Sequence, residues 1–163
     1  MTEAIRHDYE CWSDEPKTIP VPYARLTDTT PTVEKPCELT SLLAGTQLTG
    51  TIITVHAVDS VAVIDIAAGN TYYHEVRNVL TYSGEAENTF GAINIGDIVY
   101  YDNSATMPAG VYLSTSPLDN LGTANTRFGW VVPCNEADMA LYPKGGATAS
   151  TQECGVCQCG AGL

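Results

Sequence analysis

Residues 94–132, NIGDIVYYDNSATMPAGVYLSTSPLDNLGTANTRFGWVV, restrict the fold more than any other stretch. Three runs rich in β-branched and aromatic residues, at 97–102, 111–115 and 127–132, are separated by segments dense in Gly, Pro, Asn and Asp. Strand formers bounded by turn formers predict three short strands. Gly96-Asp97 suits a tight entry into the first of them, because glycine takes positive φ without steric cost.

The preceding chain continues the pattern. Residues 47–55 and 60–67 alternate with period two. In the second run Val61, Val63 and Asp65 fall on one face and Ala62, Ile64 and Ile66 on the other. Residues 56–59 form a short connection, Gly69-Asn70 a turn, and 71–80 (TYYHEVRNVL) a further strand. Such alternation with short turns implies antiparallel pairing. Residues 82–93 read as a polar loop, 38–44 as at most a helical turn, and 139–142 as a short edge strand closed by Pro143. No run supports a helix of three turns. The expected class is all-β: a small antiparallel β-sandwich or barrel over 46–144, with an extended Pro-rich arm over 1–45 and a flexible Gly/Cys-rich tail over 145–163.

Seven basic residues stand against nineteen acidic ones, a net charge of −12. Such a surface repels nucleic acid and anionic membranes, so neither is an expected partner. No apolar run approaches the ~18 residues of a membrane helix. The first residues lack an apolar signal region, which implies synthesis in the cytoplasm.

Five of the nine prolines lie between Pro16 and Pro36. Proline fixes φ and biases its predecessor away from helix, so this segment is extended. The arm over residues 1–45 also carries Tyr9, Trp12, Ile19, Val21, Tyr23 and Leu26. One reading is an arm whose large side chains anchor in pockets of a partner or a neighbouring copy. The other is an arm that packs back on its own domain.

Six cysteines, Cys11, Cys37, Cys134, Cys154, Cys157 and Cys159, all avoid the predicted core strands. Disulfides stapling arm and tail to the body or to an adjacent subunit are expected, with no bound metal and no cofactor. Two alternatives stand beside this: reduced thiols, and a zinc site built on Cys154, Cys157 and Cys159 with a fourth ligand from elsewhere. No catalytic constellation emerges. His74-Glu75 lacks a second histidine at helical spacing. His56 and Asp59 flank a turn, no Gly-x-Ser-x-Gly elbow is present, and Asp97 and Asp102 fall on opposite strand faces. The strand tyrosines Tyr72, Tyr73, Tyr100, Tyr101 and Tyr112 suit core and cross-strand packing better than sugar stacking. A non-enzymatic module is therefore expected, with an acidic carbohydrate- or surface-binding β-sandwich as the alternative function.

Gly96-Asp97, Tyr100-Tyr101-Asp102 and Phe128-Gly129-Trp130-Val131 make residues 46–132 resemble the tailed-bacteriophage capsid decoration (cement) proteins. The resemblance implies a structural virion protein bound to the outer surface of an icosahedral capsid. It implies the major capsid protein as partner and assembly as a homotrimer at local three-fold positions, binding after the shell has expanded. It does not reach the arm or the cysteine tail.

Overall fold

The computed structural model describes residues 17–40, 48–83, 86–91, 93–104, 110–118, 122, 124–132 and 152–160. Ten strands run through them: β1 (Thr18–Pro22), β2 (Pro36–Leu39), β3 (Leu48–His56), β4 (Val61–Asp65), β5 (Thr71–Ser83), β6 (Ala86–Gly91), β7 (Ile98–Ser104), β8 (Gly110–Ser114), β9 (Thr126–Val132) and β10 (Gln152–Gln158). The chain is all-β, as its alternation implies. A four-stranded antiparallel sheet has the order β1-β4-β3-β2. The other strands form the order β10-β9-β7-β8-β5-β6, and an additional β10–β5 pairing closes five of them into a barrel. Closure removes the exposed edges that an open sheet of this size would present.

Each layer has its own apolar core. Val76, Ile93, Val99, Leu113, Phe128, Val131, Cys154 and Val156 fill the barrel. Val21, Leu26, Cys37, Ile52, Ala62, Ile64 and Ile66 form the core of the four-stranded sheet, with Ile19, Tyr23, Leu39, Leu48 and Val55 packed against it. The face assigned to Ala62, Ile64 and Ile66 is indeed the buried one, but Asp65 is buried as well.

Several expectations are corrected here. Residues 18–39 are not a free arm. β1 pairs antiparallel with β4 and β2 with β3. The prolines are tolerated because both are edge strands, where only one side of the ladder needs hydrogen bonds. Residues 152–158 are not a flexible tail either, since β10 lies between β9 and β5 and pairs antiparallel with both. Within the stretch read as a loop, Ala86–Gly91 pairs with β5 as a hairpin. One pairing, β5 with β8, is parallel. The expected strand at 139–142 lies outside the described residues.

Gly96 adopts φ +94°, the conformation its turn requires. Asp97 closes that turn by accepting the Asn94 N–H at 2.8 Å. Gly129 serves another need. A β-carbon there would lie 1.9 Å from the Cys157 carbonyl oxygen, so only glycine lets β10 approach β9 this closely.

Candidate functional site

The strand ladders place a row of side chains on the outer face of the barrel. Along β10, Cys154 and Val156 enter the barrel core, so Gly155 and Cys157 point outward. Gly155 is paired with Val132 on β9 and Tyr73 on β5, and Cys157 with Trp130 and Thr71. Trp130 is in turn opposite Ile98 on β7. A bulge at Phe128 turns Arg127 outward opposite Tyr100 and sends the Phe128 ring into the core. Just past β10, Cys159 is tied back by its N–H to the Phe128 carbonyl at 2.6 Å. The resulting surface carries Trp130 (38% exposed) and Tyr73 (37% exposed) on either side of a β10 segment that has almost no side-chain bulk at Gly155. Arg127 adds a positive charge to its β9 row. Glu75 bounds it at one end and is paired with Lys35 at 3.4 Å.

This face is held in place by polar groups buried between barrel and sheet. Gln158, the last residue of β10, donates from Nε2 to the carbonyls of Asp65 (3.1 Å) and Ala67 (2.9 Å). Its Oε1 accepts the Thr51 hydroxyl proton at 3.0 Å. That hydroxyl has one proton, so the 3.0 Å contact between Thr51 Oγ1 and His74 Nε2 is a bond donated by the imidazole. Burial is the main force driving His74 down from its ordinary value to about 3, and the nearby Lys35 charge adds to it. The ring is therefore neutral, and it meets Phe128 edge-on at 5.3 Å.

Asp65 is the second anchor of this seam. Its carboxylate accepts the Lys17 and Ala67 N–H groups, each at 2.9 Å, and the Asn70 side-chain amide at 2.6 Å. The Tyr72 hydroxyl donates to the same group. Burial, then the bond to Asp65, raises the Tyr72 pKa and keeps its hydroxyl protonated. Four donors from four points of the chain thus fix the start of β1 and the β4–β5 connection. Within the barrel wall Arg77 and Asp102 form a buried pair at 3.3 Å. These groups are structural ties, each committed to another part of the fold.

The residues proposed as anchors separate into two sets. Val21 and Leu26 are buried in the core of the four-stranded sheet, and Ile19 and Tyr23 pack against it. These four therefore pack on their own domain, and the anchoring role expected of them is corrected. Tyr9 and Trp12 lie outside the described residues, as do Cys11 and Cys134. Cys37, Cys154, Cys157 and Cys159 are thiols. Cys37 sits in the sheet core, donates to the Gly50 carbonyl at 3.5 Å, and is pushed up to about 12 by burial. Strand alternation also divides the cysteine motif, with Cys154 inside the barrel and Cys157 outside. The three thiols therefore do not converge on one zinc ion, and among the described residues no group of three or more metal-ligating side chains occurs.

The outer face is not apparent from the sequence because its central strand, QECGVCQ, has the composition of a tail. Its signal was present in the alternation of Cys154, Val156 and Gln158 with Gly155 and Cys157. No family model, curated protein or solved structure matches the chain.

Proposed function

We propose that this chain is a structural virion protein that decorates and stabilises an icosahedral phage capsid by binding its outer surface. The resemblance over residues 46–132 suggests the role. The observation that carries it is the outer face around β10. A surface bearing the exposed aromatics Trp130 and Tyr73, together with Tyr100 and Arg127, is enriched in the residue types that dominate protein–protein contact centres. The partner is the major capsid protein, and the active form is a homotrimer, in which three attachment faces raise each other's effective concentration. Tyr9 and Trp12 act as further anchors from the first sixteen residues. The work done is attachment and reinforcement, without catalysis.

Binding to expanded, undecorated shells tests this reading. Trp130→Ala and Tyr73→Ala each weaken attachment by roughly 1–3 kcal/mol, as truncation of a contact-centre aromatic does. Shell occupancy unchanged in both variants refutes it. The half-exposed aromatics astride Gly155 also favour a second reading, a carbohydrate-binding surface. A glycan array on which the wild type binds and Trp130→Ala does not would select that reading instead.

A further inference from the structure

The strand edges of the molecule are not equally open. Among the described residues only β1 and β6 have a partner strand on one side and none on the other. β2, at the far edge of the four-stranded sheet, is flanked by residues 25–27. There the Thr27 N–H bonds the Glu38 carbonyl at 2.9 Å, and the Arg25 carbonyl accepts the Thr40 N–H at 2.8 Å. β1 is blocked chemically. The Lys17 carbonyl accepts the Ile66 N–H and the Tyr23 N–H bonds the Ser60 carbonyl, each at 2.9 Å, so the odd-numbered residues of this segment bond to β4. Thr18, Pro20 and Pro22 turn their backbone groups away from β4, and the two prolines have no N–H to offer an incoming strand.

β6 has neither protection. β10 pairs with β5 only as far as Val76, and β8 only at Val76 and Arg77. Beyond Asn78 the one partner strand of β5 among the described residues is β6, so the two continue past the barrel as a ribbon, about 17 Å long from Asn78 to Ser83. A bulge in each strand, at Leu80 in β5 and Asn88 in β6, offsets the other, and the register set at Asn78 and Gly91 is regained at Tyr82 and Glu87. β6 reads AENTFG, without the Pro or Lys that shields a natural edge. Two strands alone are marginal in water, and a third stabilises them. The hairpin sequence carries Glu85 and Glu87, and no Lys or Arg occurs from Asn78 to Thr126. We propose that β6 docks an extended segment of another protein, one carrying Lys or Arg, as an added strand. Backbone hydrogen bonds along the open edge hold the segment. Glu85 and Glu87 favour a cationic segment over an anionic one, and like charge at −12 per chain disfavours a second copy at this edge. The edge occupies the other half of β5 from the Trp130 and Tyr73 face, so both are open to partners at once.

The test titrates the full-length chain into a labelled synthetic peptide that alternates Lys and Val. Saturable binding is expected in fluorescence anisotropy, with new hydrogen-exchange protection confined to residues 78–91. The same peptide N-methylated at every residue keeps its charge but has no backbone donor, and it is expected to bind about 10-fold more weakly or worse. Glu85→Lys/Glu87→Lys is expected to lose the Lys/Val peptide and to take up one that alternates Glu and Val. The N-methylated probe needs only the wild type and is therefore independent of whether the variant folds. Failure of the Lys/Val peptide to bind, binding unchanged by N-methylation or by the charge reversal, or protection that falls outside 78–91 overturns the proposal. Protection of 86–91 already complete in the dilute free chain assigns the edge to a segment of the chain itself, and protection that grows with protein concentration assigns it to a second copy. Either result overturns the proposal as well.

Discussion

Acid should destabilise this protein through His74 before most carboxylates titrate. The imidazole is 3% exposed, donates to Thr51 and packs edge-on against Phe128. Its pKa falls from 6.5 in the unfolded chain to about 3 in the fold. A depressed histidine binds its proton more readily when unfolded. Its contribution is complete above about pH 6.5 and is lost as pH falls from there toward 3, at up to about 1.4 kcal/mol per unit. Between pH 6.5 and 4.5 the loss is about 2–2.5 kcal/mol, a sizeable part of the 5–15 kcal/mol typical of a whole domain. Urea unfolding of the wild type and of His74→Gln at steps across that range measures it. Gln retains a donor for Thr51 but has no charge to acquire. The variant is expected to be less stable at pH 7.5 yet to lose about 2 kcal/mol less than the wild type by pH 4.5. Parallel pH profiles for the two proteins would show that His74 protonates as easily in the fold as outside it, and the buried-seam argument would be wrong.

Two further perturbations test how β10 is seated in the barrel and how the seam at Asp65 is held. Gly129→Ala drives a methyl group into the Cys157 carbonyl, 1.9 Å from the built β-carbon, so β10 must separate from β9. A loss of about 3 kcal/mol or more is expected in thermal or urea unfolding, together with faster hydrogen exchange along 152–158. Asp65→Ala leaves the Lys17, Ala67, Asn70 and Tyr72 donors without their acceptor. About 3–5 kcal/mol should be lost, and Asp65→Asn, which keeps one acceptor oxygen, should lose less.

The parts of the fold that were legible in the sequence are those whose stability is local. β3, β4, β5, β7, β8 and β9 each carry their own alternation of β-branched and aromatic residues, and each was placed within a few residues. The parts that were not legible depend on neighbours. β10 reads QECGVCQ, with one β-branched residue, and holds its place because β9 and β5 pair with it from both sides. β1 reads TIPVP, and its prolines obscured a pattern in which Val21 is buried and Ile19 half-buried while Thr18, Pro20 and Pro22 are exposed. The edge position that excuses those prolines is a property of the sheet and appears nowhere in the segment itself. The outer face around β10 is hidden for the same reason. Trp130, Tyr73 and Cys157 are far apart in sequence, and only the insertion of β10 between β9 and β5 brings them together.

The direct test of the proposed attachment is cryo-electron microscopy of expanded phage shells incubated with this chain, at a resolution that traces side chains on the outer shell. The account predicts three copies around each occupied local three-fold position, with Trp130, Tyr73 and Arg127 buried against the major capsid protein. Particles without density for the chain, or decorated particles in which that barrel face points into solvent, would contradict it.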